Sequence, residues 1–339
     1  MPQDPLALLC IEPRFPGKLG AVADWLVRKR GYRCRFYCAS ADIDSGGLHP
    51  RLAAVGDGLE VMQFNVGGAG RESSVHWTRG LERGLCYAFG CFEVLEARRL
   101  RPVDLILGRS AFLGSTLFAP VHAPAAPVVQ FFDYYFHAHD HDLTGEIGPD
   151  APPDYFYWRR AANAVELIDL ENGVVPWTAT RWQRDLFPAE YRKDFVVLHP
   201  GVDVRRFIRG DKPGGSRPPL AGRILPAGTR LVTFVARRLD RLRGFDRFLL
   251  LADRLLRERP DVVCAAVGGG TVDRGLDVEF FGRDYAAQLL GRSPPHDPER
   301  FWLPGAVAPT TLAEILAASD LHVYPSRPYA VSQSLVVAM

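Results

Sequence analysis

Short uninterrupted apolar runs recur along the chain, each followed by a loop and then a stretch with helical spacing. Residues 6–11 form the first such run, as expected of a strand buried on both faces. Residues 12–20 read as a loop, and a helix is expected from there to about Arg30, stopped by Gly31. Residues 32–39 read as the next strand, completing one βαβ unit. Further strands are expected at 59–64, 103–107, 127–132 and 195–198. Residues 72–100 read as one long helix or two shorter ones, and 155–170 as a helix. The alternation restarts after residue 230, with strands at 231–236, 262–267, from 301, and at 321–324. Helices are expected at 244–259, 285–290 and 311–318, and residues 332–339 read as the opening of another. In the first of these, Phe245, Phe248, Leu249, Ala252, Leu255 and Leu256 share one face.

Between the two alternating blocks, residues 208–230 are crowded with Gly and Pro. That break predicts a domain at 1–203, a linker at 204–230 and a second domain at 231–339, the alternative being a long surface loop within one domain. A length of 339 residues suits two domains. With 47% hydrophobic and 24% charged residues, a mostly disordered chain is excluded. The formal charge of +2 gives no push toward nucleic acid, and no nucleic-acid partner is expected. Only four of the 41 basic residues are Lys; such an Arg excess follows from genome composition, yet a guanidinium is also a good diphosphate ligand. The six cysteines lie mostly in apolar runs with no CxxC pair, which predicts reduced thiols, no structural zinc and a cytoplasmic protein. No stretch of eighteen apolar residues occurs, which leaves peripheral membrane contact open.

Loops at the carboxyl ends of parallel strands are where open α/β sheets hold ligands. Gly17 and Gly20 would let backbone approach a ligand closely, or simply make a tight strand-to-helix turn; they do not form the GxGxxG fingerprint. Arg237 leaves a strand and Arg243 precedes a helix, so the two could converge on a diphosphate, or be ordinary solvated arginines. Gly268-Gly269-Gly270 gives close backbone access at another strand end. No P-loop and no GxSxG elbow occurs. The densest polar segment runs from Asp133 to Asp142, with alternating His and Asp. It could be a cleft wall, a plain surface loop or a divalent-metal site, and Asp133 stands at the strand exit.

Several of these segments, in their order and spacing, resemble the group 1 glycosyltransferases of family 4. They are His199-Pro200-Gly201-Val202-Asp203, Val235-Ala236-Arg237 through Arg243-Gly244-Phe245, Gly268-Gly269, Ala318 through Ser326, and Ala338-Met339. Phe15-Pro16-Gly17 and Phe131-Phe132-Asp133-Tyr134-Tyr135 are similar to a bacterial subgroup associated with surface polysaccharides. The resemblance implies a GT-B fold, two Rossmann-like α/β domains facing a cleft, with the second domain incomplete here. It implies a retaining glycosyltransferase that moves a sugar from a nucleotide-diphosphate sugar to an acceptor hydroxyl on a glycan or lipid-linked acceptor, in polysaccharide or glycoconjugate synthesis. No cofactor and no metal is implied, and the place of work is the cytoplasm, at the inner face of the membrane. Arg237 and Arg243 would grip the donor diphosphate in the catalytic role. Gly17, Gly269, Ser326 and Ser332 would contact the donor, and Asp133 and Arg109 are acceptor-side candidates.

The chain departs from the resembling pattern in several places. Those enzymes carry two glutamates at positions here held by Tyr329 and Val337; the second contacts the nucleotide ribose, and valine cannot accept that hydrogen bond. Arg109 stands where the subgroup tends to have His, and Ser115 where it tends to have Glu. The family domain also continues beyond Ala338-Met339. The alternative reading is therefore a degenerate or truncated GT-B protein with a sugar- or partner-binding role, and the 339-residue form is expected to have little transferase activity.

Overall fold

The computed structural model describes residues 5–39, 58–66, 78–97, 103–137, 153–202, 207, 219–270 and 284–339. The chain divides into two compact units, Met1–Pro200 and Gly201–Met339.

In the first unit the elements are β1 (Ala7–Ile11), α1 (Leu19–Arg30), β2 (Arg33–Ala39), β3 (Leu59–Phe64), α2 (Arg79–Ala97), β4 (Leu105–Gly108), α3 (Ala119–His122) and β5 (Val128–Phe131). They are followed by α4 (Pro153–Ala162), α5 (Ala164–Glu171), β6 (Val175–Thr178), α6 (Arg181–Leu186), α7 (Ala189–Arg192) and β7 (Val196–Val197). The seven strands form one sheet in the order β3-β2-β1-β4-β5-β6-β7, with every pair parallel. Leu8, Leu9, Cys10 and Ile11 are all buried, as an apolar run without alternation requires of a strand covered on both faces.

Two differences from the sequence expectation have clear causes. The helix expected over 155–170 is two, α4 and α5, broken at Asn163. The Asn163 side chain is diverted to the backbone of Phe136, with Oδ1 accepting from its N–H at 2.8 Å and Nδ2 donating to its carbonyl at 2.7 Å. β6 is not expected from the sequence at all, because Pro176 sits in the middle of a four-residue strand that has neighbours on both sides. The stretch 72–100 is one helix, α2, within its described part, and Gly20 lies inside α1 rather than in the loop before it.

In the second unit the elements are β8 (Arg230–Arg238), α8 (Phe245–Glu258), β9 (Val262–Gly269), α9 (Tyr285–Arg292), β10 (Phe301–Gly305), α10 (Pro309–Ala318), β11 (Leu321–His322) and α11 (Gln333–Ala338). The sheet order is β10-β9-β8-β11, again all parallel. β8 sends Val232, Phe234 and Ala236 into a core with Phe245, Phe248 and Leu249 of α8. Leu231 and Val235 go to the opposite face with Trp302 and Ile315. Alternate residues of one strand thus build two cores, the signature of a sheet with helices on both sides. No helix among the described residues is long and apolar enough to cross a membrane.

Candidate functional site

Each sheet has one place where the strand order reverses, and there the loops leaving two adjacent strands diverge and open a crevice. In the first unit the reversal lies between β1 and β4, in the second between β8 and β11. The charged groups picked out by the sequence gather at these two points.

Glu12 leaves β1 and is fully buried. Its carboxylate accepts from the backbone N–H of Lys18 at 3.0 Å and of Leu19 at 2.8 Å, so it caps α1 from seven residues away and meets the positive end of the helix. Arg109 leaves β4 and bridges two acids, donating from Nη1 to Glu12 at 2.5 Å and from Nε to Asp133 at 2.8 Å. Lys18 completes the group, with Nζ 2.6 Å from Asp133 Oδ1 and 4.4 Å from the centre of the Phe131 ring. Burial alone would push the Asp133 carboxyl up, but the Arg109 and Lys18 charges outweigh it and hold it well below the usual carboxylate range. Burial, assisted by the Lys18 charge, holds the His199 imidazole below its ordinary value.

Asp133 and Arg109 are brought together by this pairing, whereas Glu12 and Lys18 enter the cluster without having been singled out by the sequence. The signal was present: an acid directly after a buried strand and a lysine at the start of the next helix. Gly17 has a packing reason that is independent of any ligand. With φ +49° its Cβ would fall 2.2–2.3 Å from the atoms of the Glu12 carboxylate. The segment after Asp133 is tied down from several sides. Gln183 Nε2 donates to the Asp133 carbonyl at 2.6 Å, and the His137 ring nitrogen Nε2 lies 2.8 Å from the Leu186 carbonyl. His139, Asp140, His141 and Asp142 lie outside the described residues.

In the second unit, Arg237 is exposed near the C-terminal end of β8, and among the described residues no ion pair engages it. Its neighbour Arg238 lies 3.8 Å from Asp240. Arg243 donates its backbone N–H to Asp240 Oδ1 at 2.8 Å, while its guanidinium Nη1 is buried and has no hydrogen-bond partner among the described residues. The Asp240 carboxyl is raised by burial, against the opposing pull of Arg243, Arg238 and Arg327. Ser326 turns its hydroxyl to the Leu242 carbonyl at 3.3 Å and the Arg327 carbonyl at 3.1 Å, so any donor contact there falls to its backbone. Ser332 caps α11, accepting from Ser334 N–H at 3.3 Å. A Cβ on Gly269 would meet only the Arg237 carbonyl at 3.5 Å, an ordinary contact. Gly268 is the constrained member, with its Cβ position 2.2 Å from the Ala236 carbonyl oxygen.

Gly244 is similarly constrained. Its φ is +81°, and a Cβ would sit 2.3 Å from the Pro325 carbonyl oxygen. Gly244→Ala is expected to lower stability by about 1–3 kcal/mol through the left-handed backbone and the displaced loop. Thermal melting of the variant checks this, and an unchanged midpoint would count against the packing described.

Two doubly wound parallel α/β units with charged side chains at their switch points define a GT-B fold. The chain belongs to the glycosyl transferase family 4 group, whose family model matches residues 32–207, more than half of its length. D-inositol 3-phosphate glycosyltransferase of Nocardiopsis dassonvillei is 33% identical over 138 residues, covering 38% of this chain and only 28% of that protein. Sucrose-phosphate synthase from Thermosynechococcus elongatus superposes with a TM-score of 0.67 at 15% identity, covering 98% of this chain and 78% of the synthase. WaaG, a glycosyltransferase involved in lipopolysaccharide biosynthesis, gives a TM-score of 0.59 at 18% identity, covering 98% and 78%. At such identities the two structures speak for the fold.

Proposed function

We propose that the protein is a retaining glycosyltransferase that moves a sugar from a nucleotide-diphosphate sugar to the hydroxyl of a glycan or lipid-linked acceptor. The observation that carries this reading is Arg243, placed just before the N-terminus of α8 with a buried guanidinium nitrogen lacking a partner among the described residues. An anion is what such a nitrogen and the positive end of a 14-residue helix would take up together. Arg237, at the end of β8, adds a second charge that no ion pair engages among the described residues. In the reaction the bond from the anomeric carbon to the diphosphate oxygen breaks and the diphosphate leaves with the electron pair. The acceptor oxygen bonds to the anomeric carbon, and its proton passes to the departing phosphate. Arg237 and Arg243 stabilise the charge that grows on the diphosphate, with the backbone amides at Gly269 and Ser326 alongside. Asp133, kept ionised by Arg109 and Lys18, accepts hydrogen bonds from acceptor hydroxyls.

The acceptor chemistry we favour is a cell-surface polysaccharide precursor, in keeping with the role printed for WaaG. The work would then be done in the cytoplasm at the inner face of the membrane. α1 exposes Trp25 beside Lys29 and Arg30 in its last turn, a combination suited to peripheral contact with lipid headgroups.

Calorimetric titration with UDP, GDP and ADP tests the donor site. Losing either charge-assisted contact costs about 1.5–3 kcal/mol, so Arg237→Ala and Arg243→Ala should each weaken binding roughly tenfold or more. Unchanged affinity in both variants would sink the assignment. A second reading, a sugar-binding protein without turnover, is favoured by Val337 on α11, which offers no acceptor to a ribose hydroxyl. Incubating the wild-type chain with nucleotide sugars and a cell-envelope lipid extract separates the two. Repeated turnover supports transfer, whereas nucleotide binding without product supports the second reading.

A further inference from the structure

We infer that Tyr329 is a positioning residue for the donor: its ring orients the Arg243 guanidinium from one face while leaving the charge of that guanidinium available to an anion. This inference rests on the donor-site reading above. The Arg243 guanidinium carbon lies 5.3 Å from the centre of the Tyr329 ring, within the range of a cation–π contact. The two residues come from loops on opposite sides of the strand-order reversal, one leaving β8 and the other leaving β11.

These loops are fastened to each other by backbone and buried charge. The Arg327 N–H donates to the Leu242 carbonyl at 3.0 Å. Its guanidinium, almost wholly buried, donates to the Arg241 carbonyl and holds Asp246 with two hydrogen bonds of 2.9 and 2.7 Å. Gly244 lies against the Pro325 carbonyl with no room for a side chain. Tyr329 follows two residues after Arg327 and so is carried on a fixed platform.

The consequence for charge is specific. Two other arginines of this region are met by acids: Arg327 by Asp246, and Arg238 by Asp240. Arg243 is met by an aromatic face instead, and its Nη1 remains without a hydrogen-bond partner among the described residues. The ring fixes the rotamer through its quadrupole and leaves the positive charge uncancelled. Such pre-ordering of a long side chain spares entropy that binding would otherwise cost.

The test is calorimetric titration of the full chain with UDP, GDP and ADP, comparing wild type, Tyr329→Phe, Tyr329→Leu, Arg243→Ala and the double variant Arg243→Ala/Tyr329→Leu. Tyr329→Phe should bind like wild type, because the ring and not the hydroxyl is used. Tyr329→Leu should melt at the wild-type temperature yet bind about 3- to 30-fold more weakly. The double variant should bind no worse than Arg243→Ala alone, since the tyrosine acts through the arginine. A Tyr329→Leu chain that keeps wild-type affinity would overturn the inference while leaving the donor site standing. A loss of the same size in the Arg243→Ala background would overturn it as well. Failure of the donor reading looks different: no nucleotide binds the wild type, or Arg243→Ala binds as well as wild type, and the inference falls with it.

Discussion

Arg109→Ala is expected to destabilise the first unit by about 3–5 kcal/mol, the cost of leaving a buried carboxylate without its partner. Glu12 has no exposure to water, and Arg109 is its only side-chain cation among the described residues, at 2.5 Å. The helix N-terminus of α1 gives Glu12 two backbone donors, yet these carry only partial charge. Asp133 fares better in the variant because Lys18 remains at 2.6 Å. The damage should therefore track Glu12. A companion variant makes that distinction measurable: Arg109→Met together with Glu12→Gln removes the stranded charge and should recover a large part of the loss. Urea unfolding followed by tryptophan fluorescence is a suitable readout, since five of the six tryptophans lie within residues 1–200. An Arg109→Ala midpoint close to that of the wild type would show that the cluster contributes little. No recovery in the companion would show that the packing of the Arg109 stem, and not charge, is what matters.

The arrangement around Arg109 also shows what a sequence can and cannot disclose. Strands β1 and β9 are legible because a strand buried on both faces must be apolar throughout. α8 is legible because its core residues recur at helical spacing. Arg243 and Gly244 are legible because a turn into a helix leaves a recognisable dipeptide. β6 is hidden by Pro176, and the break between α4 and α5 is hidden because Asn163 breaks the helix for a partner, Phe136, that lies 27 residues away. Glu12 escapes for the same kind of reason. A carboxylate that caps a helix from a distance and binds an arginine 97 residues on has no local pattern. Pairings of this sort are properties of strand order, and only the sheet brings the ends of β1, β4 and β5 together.

Raising the pH from about 5 to 9 is expected to weaken the first unit, against the common behaviour of proteins rich in paired carboxylates. Two acids of α5, Glu166 and Asp169, face inward and are almost completely buried. Glu166 Oε1 accepts from Ser110 Oγ at 3.1 Å and from the Phe112 N–H at 3.0 Å, holding a loop in which Ala111 and Phe112 have positive φ. Asp169 takes the Thr116 hydroxyl at 2.9 Å and Gln130 Nε2 at 3.0 Å. Neither has a cation within ion-pair distance among the described residues. Burial, reinforced by Asp169 and Asp133, pushes Glu166 up to about 8, and burial pushes Asp169 up to about 7. In the unfolded chain both titrate near pH 4, so the folded state binds more protons throughout the interval between. Stability must then fall as pH rises through that interval, fully present below the unfolded values and lost as the folded groups ionise. For Glu166 alone the change is roughly 3–5 kcal/mol at about 1.4 kcal/mol per unit. Glu166→Gln keeps a neutral side chain with an oxygen for Ser110 and Phe112, and its unfolding midpoint should vary less between pH 5 and 9 than that of the wild type. Asp169→Asn should flatten the lower part of the same interval. A wild-type midpoint that is constant or rising across this range would mean that the two acids are ionised in the folded protein. The loop carrying Arg109 would then be held by charge, and not by a protonated pair.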